Sequence, residues 1–391
     1  MRPGTPGFKG ERLVEARLAQ GLSGAALADL LGVSRQLISQ YEKNGVTPGP
    51  QVLEQMAREL KVSTQFFLRA PNRAEIGTVF YRSLKSTSKA VRGRAVTKLG
   101  WLKELTRYVE GYVELPEVDI PDAEADPLSL SNKDIERIAR EVREHFGLGY
   151  APVDDMVLAL ENHGAVVSRL LAGSEKVDAF SEWCSEEGRP YVLLSEDKQS
   201  AVRSRLDAGH ELGHMVLHRR VPQAVVNSRD LFNLIEAQAF RFAGAFLLPK
   251  EEFAADFFLP ELNELYRLKK HWKVAMSAII KRCQDLGLLP DSELKRLYIA
   301  MGRRGWRTSE PLDDELVPEQ PKLLAESTRV ILEETPTTRR DICTSLPHPR
   351  EDLERLAGLP LGFLEERESG PPRVTVREER RGNVVDFPKK P

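Results

Sequence analysis

The sequence predicts a multidomain fold: an all-α unit of short helices, then an α+β body, then a mainly helical C-terminal region. Three observations carry this. Residues 1–100 hold 16 Lys and Arg against 7 Asp and Glu, a formal +9, whereas the rest holds 41 against 52, a formal −11. The basic part is a series of short apolar helical stripes punctuated by glycines, and strand-like runs enter only later, at residues 165–168 and 191–194. Between the strand-like runs and a long helical stretch stands His210-Glu211-Leu212-Gly213-His214. At 391 residues, 41% of them hydrophobic, the chain can build two or three cores.

The first helix runs over residues 10–20 on Leu13, Val14, Ala16 and Leu18, and Gly21 ends it. Ser23 is placed to cap a second helix whose apolar face is Ala26, Leu27, Leu30 and Leu31. Gly32-Val33 makes a short turn, and Ser34 caps a third helix reaching Lys43. Two short helices joined around a glycine form a helix-turn-helix. In the third helix Leu37, Ile38 and Tyr41 face inward. Arg35, Gln36, Ser39, Gln40 and Lys43 face outward, where such side chains reach base edges and phosphates in a DNA major groove. Residues 52–60 and 63–68 complete five helices.

Residues 8–70 resemble the Xre-type, lambda-repressor-like DNA-binding domains, the match resting on Val33-Ser34-Arg35-Gln36-Leu37-Ile38-Ser39-Gln40-Tyr41-Glu42-Lys43-Asn44-Gly45. The resemblance implies a double-stranded DNA operator as partner, read by Arg35, Gln36, Ser39 and Gln40. Gly24 departs from it, standing where the family often has glutamine.

A connecting helix is expected from Val79 to Leu115, within residues 71–115, on Trp101, Leu102, Leu105, Tyr108, Val109 and Tyr112. It would pack on a neighbour or on a second subunit in a homodimer. Residues 116–130, with three prolines and five acids, read as a linker. The stripe Ile135, Ile138, Ala139, Val142 and Phe146 opens the second domain, expected over residues 131–290.

That domain carries the chemistry. Two histidines four residues apart project from one face of a helix, so both imidazoles can meet one Zn2+ ion. Glu211 between them is placed to act as a general base toward water. Catalytic zinc takes three protein ligands, so a third is needed. His218 continues the stripe but lies about 12 Å along the helix from His210, too far to share one ion. Glu236, at the start of an apolar helical stretch 22 residues after His214, is the best third ligand; Asp207 and Asp256 are weaker alternatives.

Residues 135–290 resemble the ImmA/IrrE-type metallopeptidases. The match rests on the run from Ser200 through His214, on Asp178-Ala179-Phe180-Ser181-Glu182-Trp183 with Arg189-Pro190-Tyr191-Val192, and on the stretch from Glu236 to Pro249. It implies an α+β zincin-like domain in which His210, His214 and Glu236 hold zinc and Glu211 is the catalytic base. The substrate it implies is a protein, repressor-like or the chain itself. Some relatives carry a second glutamate where this chain has Gln238.

Residues 291–365 are expected to be helical, with residues 323–332, 340–346 and 350–356 forming a small unit. Residues 366–391 read as a disordered tail. Three scattered cysteines, Cys184, Cys283 and Cys343, build no disulfide framework. With no signal peptide and no long apolar run, a cytoplasmic protein without membrane contact is expected.

Overall fold

A computed structural model describes residues 4–71, 79–80, 87–124, 126–171, 173–174, 177–197, 200–221 and 228–365. The expected tail, 366–391, lies outside the described residues.

Helices α1 (Gly10–Ala19), α2 (Gly24–Leu31), α3 (Arg35–Glu42) and α4 (Pro50–Glu59), with a 3₁₀ turn at Thr64–Leu68, make the N-terminal unit. Local chemistry sets the boundaries. Ser23 Oγ accepts from the Ala26 amide and Ser34 Oγ from the Leu37 amide, at 3.0 and 3.1 Å. Gly32, at φ +65°, supplies the left-handed residue that ends α2. The apolar face of α2 differs from expectation: Leu27, Ala28 and Leu31 are buried, whereas Leu30 is exposed. Ala28, too small to stand out in the hydrophobic pattern, takes the inward position.

Strand β1 (Val79–Phe80) stands where the connecting helix was expected to begin. The helix α5 spans Lys89–Glu110, because Ser88 caps it by accepting from the Val91 amide. Next come α6 (Asn132–His145), α7 (Met156–Asn162), β2 (Val166–Leu170), β3 (Ala179–Cys184) and β4 (Arg189–Ser195). The sheet order is β1-β3-β4-β2: β2 and β4 run parallel, and β3 is antiparallel to both β4 and β1. β3 was not recognised as a strand in the sequence, since Ser181 and Glu182 interrupt its apolar run.

The chain continues as α8 (Ala201–Leu217), α9 (Arg229–Leu247), α10 (Lys250–Asp256), α11 (Leu262–Trp272), α12 (Met276–Leu286) and α13 (Asp291–Arg303). It closes with α14 (Leu323–Glu334), α15 (Arg339–Ser345) and α16 (Arg350–Leu356).

Both sheet faces are covered. Val167, Ala179, Val192 and Leu194 pack with α6, α8, α9 and the helices through α13. Val166, Phe180, Tyr191 and Leu193 pack with α5, the N-terminal unit and the α14–α16 unit, which thus forms part of a shared core and no separate module. α5 is the axis of that core. Trp101 lies 4.7 Å from His348, ring to ring and tilted, and meets Phe66 edge-on at 5.9 Å, while Arg12 bonds Glu104 at 2.8 Å. The described residues of 116–130 hold no helix or strand, but they are fastened: the Ala123 amide donates to Val216 O and Arg219 donates to Ile120 O.

Candidate metal centre and nucleic-acid face

α8 presents His210, Glu211 and His214, and α9 presents Glu236. Small residues let these helices approach. A Cβ added at Gly213 would lie 3.1 Å from Ala239 O and 3.2 Å from Phe242 Cδ1; one at Gly209 would lie 3.4 Å from Ala243 Cβ. The pairing of Gly209 and Gly213 with Ala239 and Ala243, each four residues apart, is a helix-contact signal that sequence reasoning did not use.

The approach brings three donors together. His210 Nε2 and His214 Nε2 are 3.0 Å apart, and Glu236 places Oε2 3.3 Å from the first and Oε1 3.4 Å from the second. Zinc–nitrogen bonds of about 2.05 Å at a tetrahedral angle hold two nitrogens about 3.3 Å apart, so the set fits the ion. Among the described residues no other group of His, Cys, Asp and Glu converges in this way. Asp207 is outside it, and Asp256 is held elsewhere by Trp272 Nε1 at 2.9 Å and Arg267 at 2.9 Å. Burial alone would push Glu236 up, but His210 and His214 outweigh it and hold the carboxyl at about 2.

Glu211 points from the same helix toward the sheet, where the Ser181 hydroxyl donates to its Oε2 at 2.5 Å. Burial pushes its carboxyl well above the usual range; Ser181 opposes this, and the negative charges of Glu236 and Asp207 add to it. Side chains alternate along β3, so Glu182 faces the other way and accepts from Lys103 Nζ on α5 at 2.7 Å. Lys103 and Glu182 are both buried.

His218 caps α8 behind His214, with 3.0 Å between their Nδ1 atoms. Its Nε2 lies 3.0 Å from Gln238 Oε1, and the Gln238 amide donates to Pro127 O at 2.7 Å. Burial and the neighbouring His214 lower His218 to about 3, keeping it neutral. Neither Ser181 nor Gln238 was assigned a role from the sequence; the antiparallel β3 and the fastened segment 116–130 are what bring them in.

On the N-terminal unit, Arg35, Gln36 and Gln40 are exposed on α3, Lys43 is exposed just past its end and Ser39 is half-buried, while Ile38 and Tyr41 are buried. Leu37 is only half-buried against the core.

Residues 13–67 match the helix-turn-helix family, and residues 160–284 match the peptidase family described as the IrrE N-terminal-like domain. The chain joins a helix-turn-helix domain to an IrrE-like domain. Over 60 residues, 15% of its length, it is 38% identical to a Bacillus subtilis (strain 168) protein described as the SPbeta prophage-derived uncharacterized HTH-type transcriptional regulator YonR. That alignment covers 56% of the relative, so the chain spans about half the length of the curated protein it matches. Among the described residues no single helix is long and apolar enough to cross a membrane.

Proposed function

We propose that this protein is a DNA-binding transcriptional regulator carrying a zinc-dependent endopeptidase site, used to cut a repressor-like protein or the chain itself. The observation that carries the proposal is the convergence of His210, His214 and Glu236 beside Glu211 in a chain that begins with a helix-turn-helix. Zinc, when bound, polarises the scissile carbonyl and acidifies water. Glu211 takes the proton from the attacking water and delivers it to the leaving amine. Ser181 orients the Glu211 carboxylate through its hydroxyl, and Glu236 balances the charge of the ion.

An extended peptide adds to a sheet at its edge, and the outer edge of β3 lies beside Ser181. The chain's own Val79–Phe80 pairs there, with Phe80 opposite Ser181. A self-derived segment on that edge favours regulated cleavage over general degradation. On the DNA side, Arg35, Gln36, Ser39 and Gln40 read bases of an operator and Lys43 meets phosphate.

A second reading has an observation in its favour. His210, Glu211, His214 and Glu236 are only 6, 3, 1 and 4% exposed, which suits a zinc domain that senses or holds partners without cutting. Proteins that shorten in cells expressing wild type but not Glu211→Gln separate the two. Cleavage products confined to wild type are expected; identical protein profiles would leave the second reading standing.

A further inference from the structure

We propose that His218 and Gln238 are positioning residues that fix the tautomer of His214, with the Pro127 carbonyl as the anchor of the chain. The inference rests on the metal reading above and concerns how that site is prepared.

The polarity follows from one end. A backbone carbonyl can only accept, so the Gln238 amide nitrogen must face Pro127 O, as its 2.7 Å contact has it. Gln238 Oε1 is thereby turned toward His218, where it can only accept, so His218 Nε2 carries a proton. A neutral imidazole has one N–H, which leaves His218 Nδ1 as an acceptor. The His214 Nδ1 that lies 3.0 Å from it must then donate. His214 Nε2 is left with its lone pair, and that is the atom facing His210 and Glu236.

Each link is out of water. His218 is fully buried, His214 is 1% exposed and Gln238 is 4% exposed, so solvent offers no substitute partner. Unrestrained imidazole has no such bias toward the Nδ1–H form that ligation through Nε2 requires. The chain supplies the bias before an ion arrives, and it runs through segment 116–130, which carries the anchoring carbonyl. Such outer partners alter metal affinity by about 10–100-fold.

The test replaces Gln238 by residues of different polarity and reads zinc affinity of the full-length protein by competition with a chromogenic chelator. Gln238→Glu keeps an acceptor toward His218; Gln238→Met offers none; Gln238→Lys offers only donors and reverses the chain, placing the proton on His214 Nε2. We expect affinity to fall in the order Gln, Glu, Met, Lys, with Met about 10–100-fold below wild type. His218→Phe should match Met. Melting of each metal-free variant shows that it is folded, and if the lysine unfolds the chain the Glu and Met pair decides alone. A methionine variant that binds zinc as tightly as wild type, or a glutamate variant as weak as methionine, would overturn the proposal. A wild-type protein that binds no zinc would instead overturn the metal reading itself.

Discussion

Gly213→Ala sets two magnitudes against each other. Alanine in place of an interior helical glycine favours the helix by about 1 kcal/mol. The added methyl, however, meets Ala239 O at 3.1 Å and Phe242 Cδ1 at 3.2 Å, closer than ordinary van der Waals contact, so α9 must give by a few tenths of an ångström. Overpacking of this kind costs about 1–3 kcal/mol. The metal-free fold therefore loses at most about 2 kcal/mol. The effect on the site is larger in kind, because Glu236 rides on α9 and metal–ligand distances tolerate only about 0.2 Å. Zinc affinity should drop about tenfold or more. Gly209→Ala is the internal control: its methyl meets Ala243 Cβ at 3.4 Å, an ordinary contact, so it should stabilise the fold and leave zinc binding alone. Thermal melting of the metal-free proteins and chelator competition read the two effects separately. Gly213→Ala with wild-type zinc affinity and a raised melting temperature would refute the claim that this seam sets the position of Glu236.

Three further outcomes follow from the same geometry. Arg35→Ala or Gln36→Ala should weaken operator binding by about 1–3 kcal/mol each in a shift titration, and binding should fall steeply with salt; a salt-insensitive interaction would contradict the DNA reading. Lys103→Met leaves Glu182 buried without its cation and should cost about 3–5 kcal/mol in denaturant unfolding, with Glu182→Gln in the double variant recovering part of it. Glu104 sits where burial would raise it, yet His348 and Arg12 hold it at about 2. A carboxyl with a depressed folded pKa contributes stability above its usual value near 4.5 and loses it as pH falls from there toward 2. Wild type should lose up to about 3 kcal/mol more than Glu104→Gln across that window; parallel curves would count against it.

The histidine pair, Glu236 and the helix-turn-helix were legible because each is written in local spacing: four residues on one helix face, serine caps before apolar stripes, glycine at the turn. The remaining parts of the site depend on contacts far apart in sequence. Ser181 reaches Glu211 only because β3 lies against α8, and β3 was missed because its polar residues serve two faces, one toward Glu211 and one toward Lys103. Pro127 lies in a stretch whose prolines and acids read as a loose linker, although its carbonyl is fastened to Gln238. The connecting helix was expected to start at Val79 because the pattern cannot separate strand from helix at Val79–Phe80, whereas α5 itself begins behind the Ser88 cap. His218 illustrates the opposite case. Spacing excluded it as a ligand, and only the fold reveals that it stands behind His214.

Metal analysis of the purified full-length protein tests the central claim most directly. One zinc per chain is expected for wild type and for Glu211→Gln, and loss of zinc for His210→Ala and Glu236→Ala with the fold retained. Zinc held equally by the His210→Ala and Glu236→Ala proteins would contradict the account.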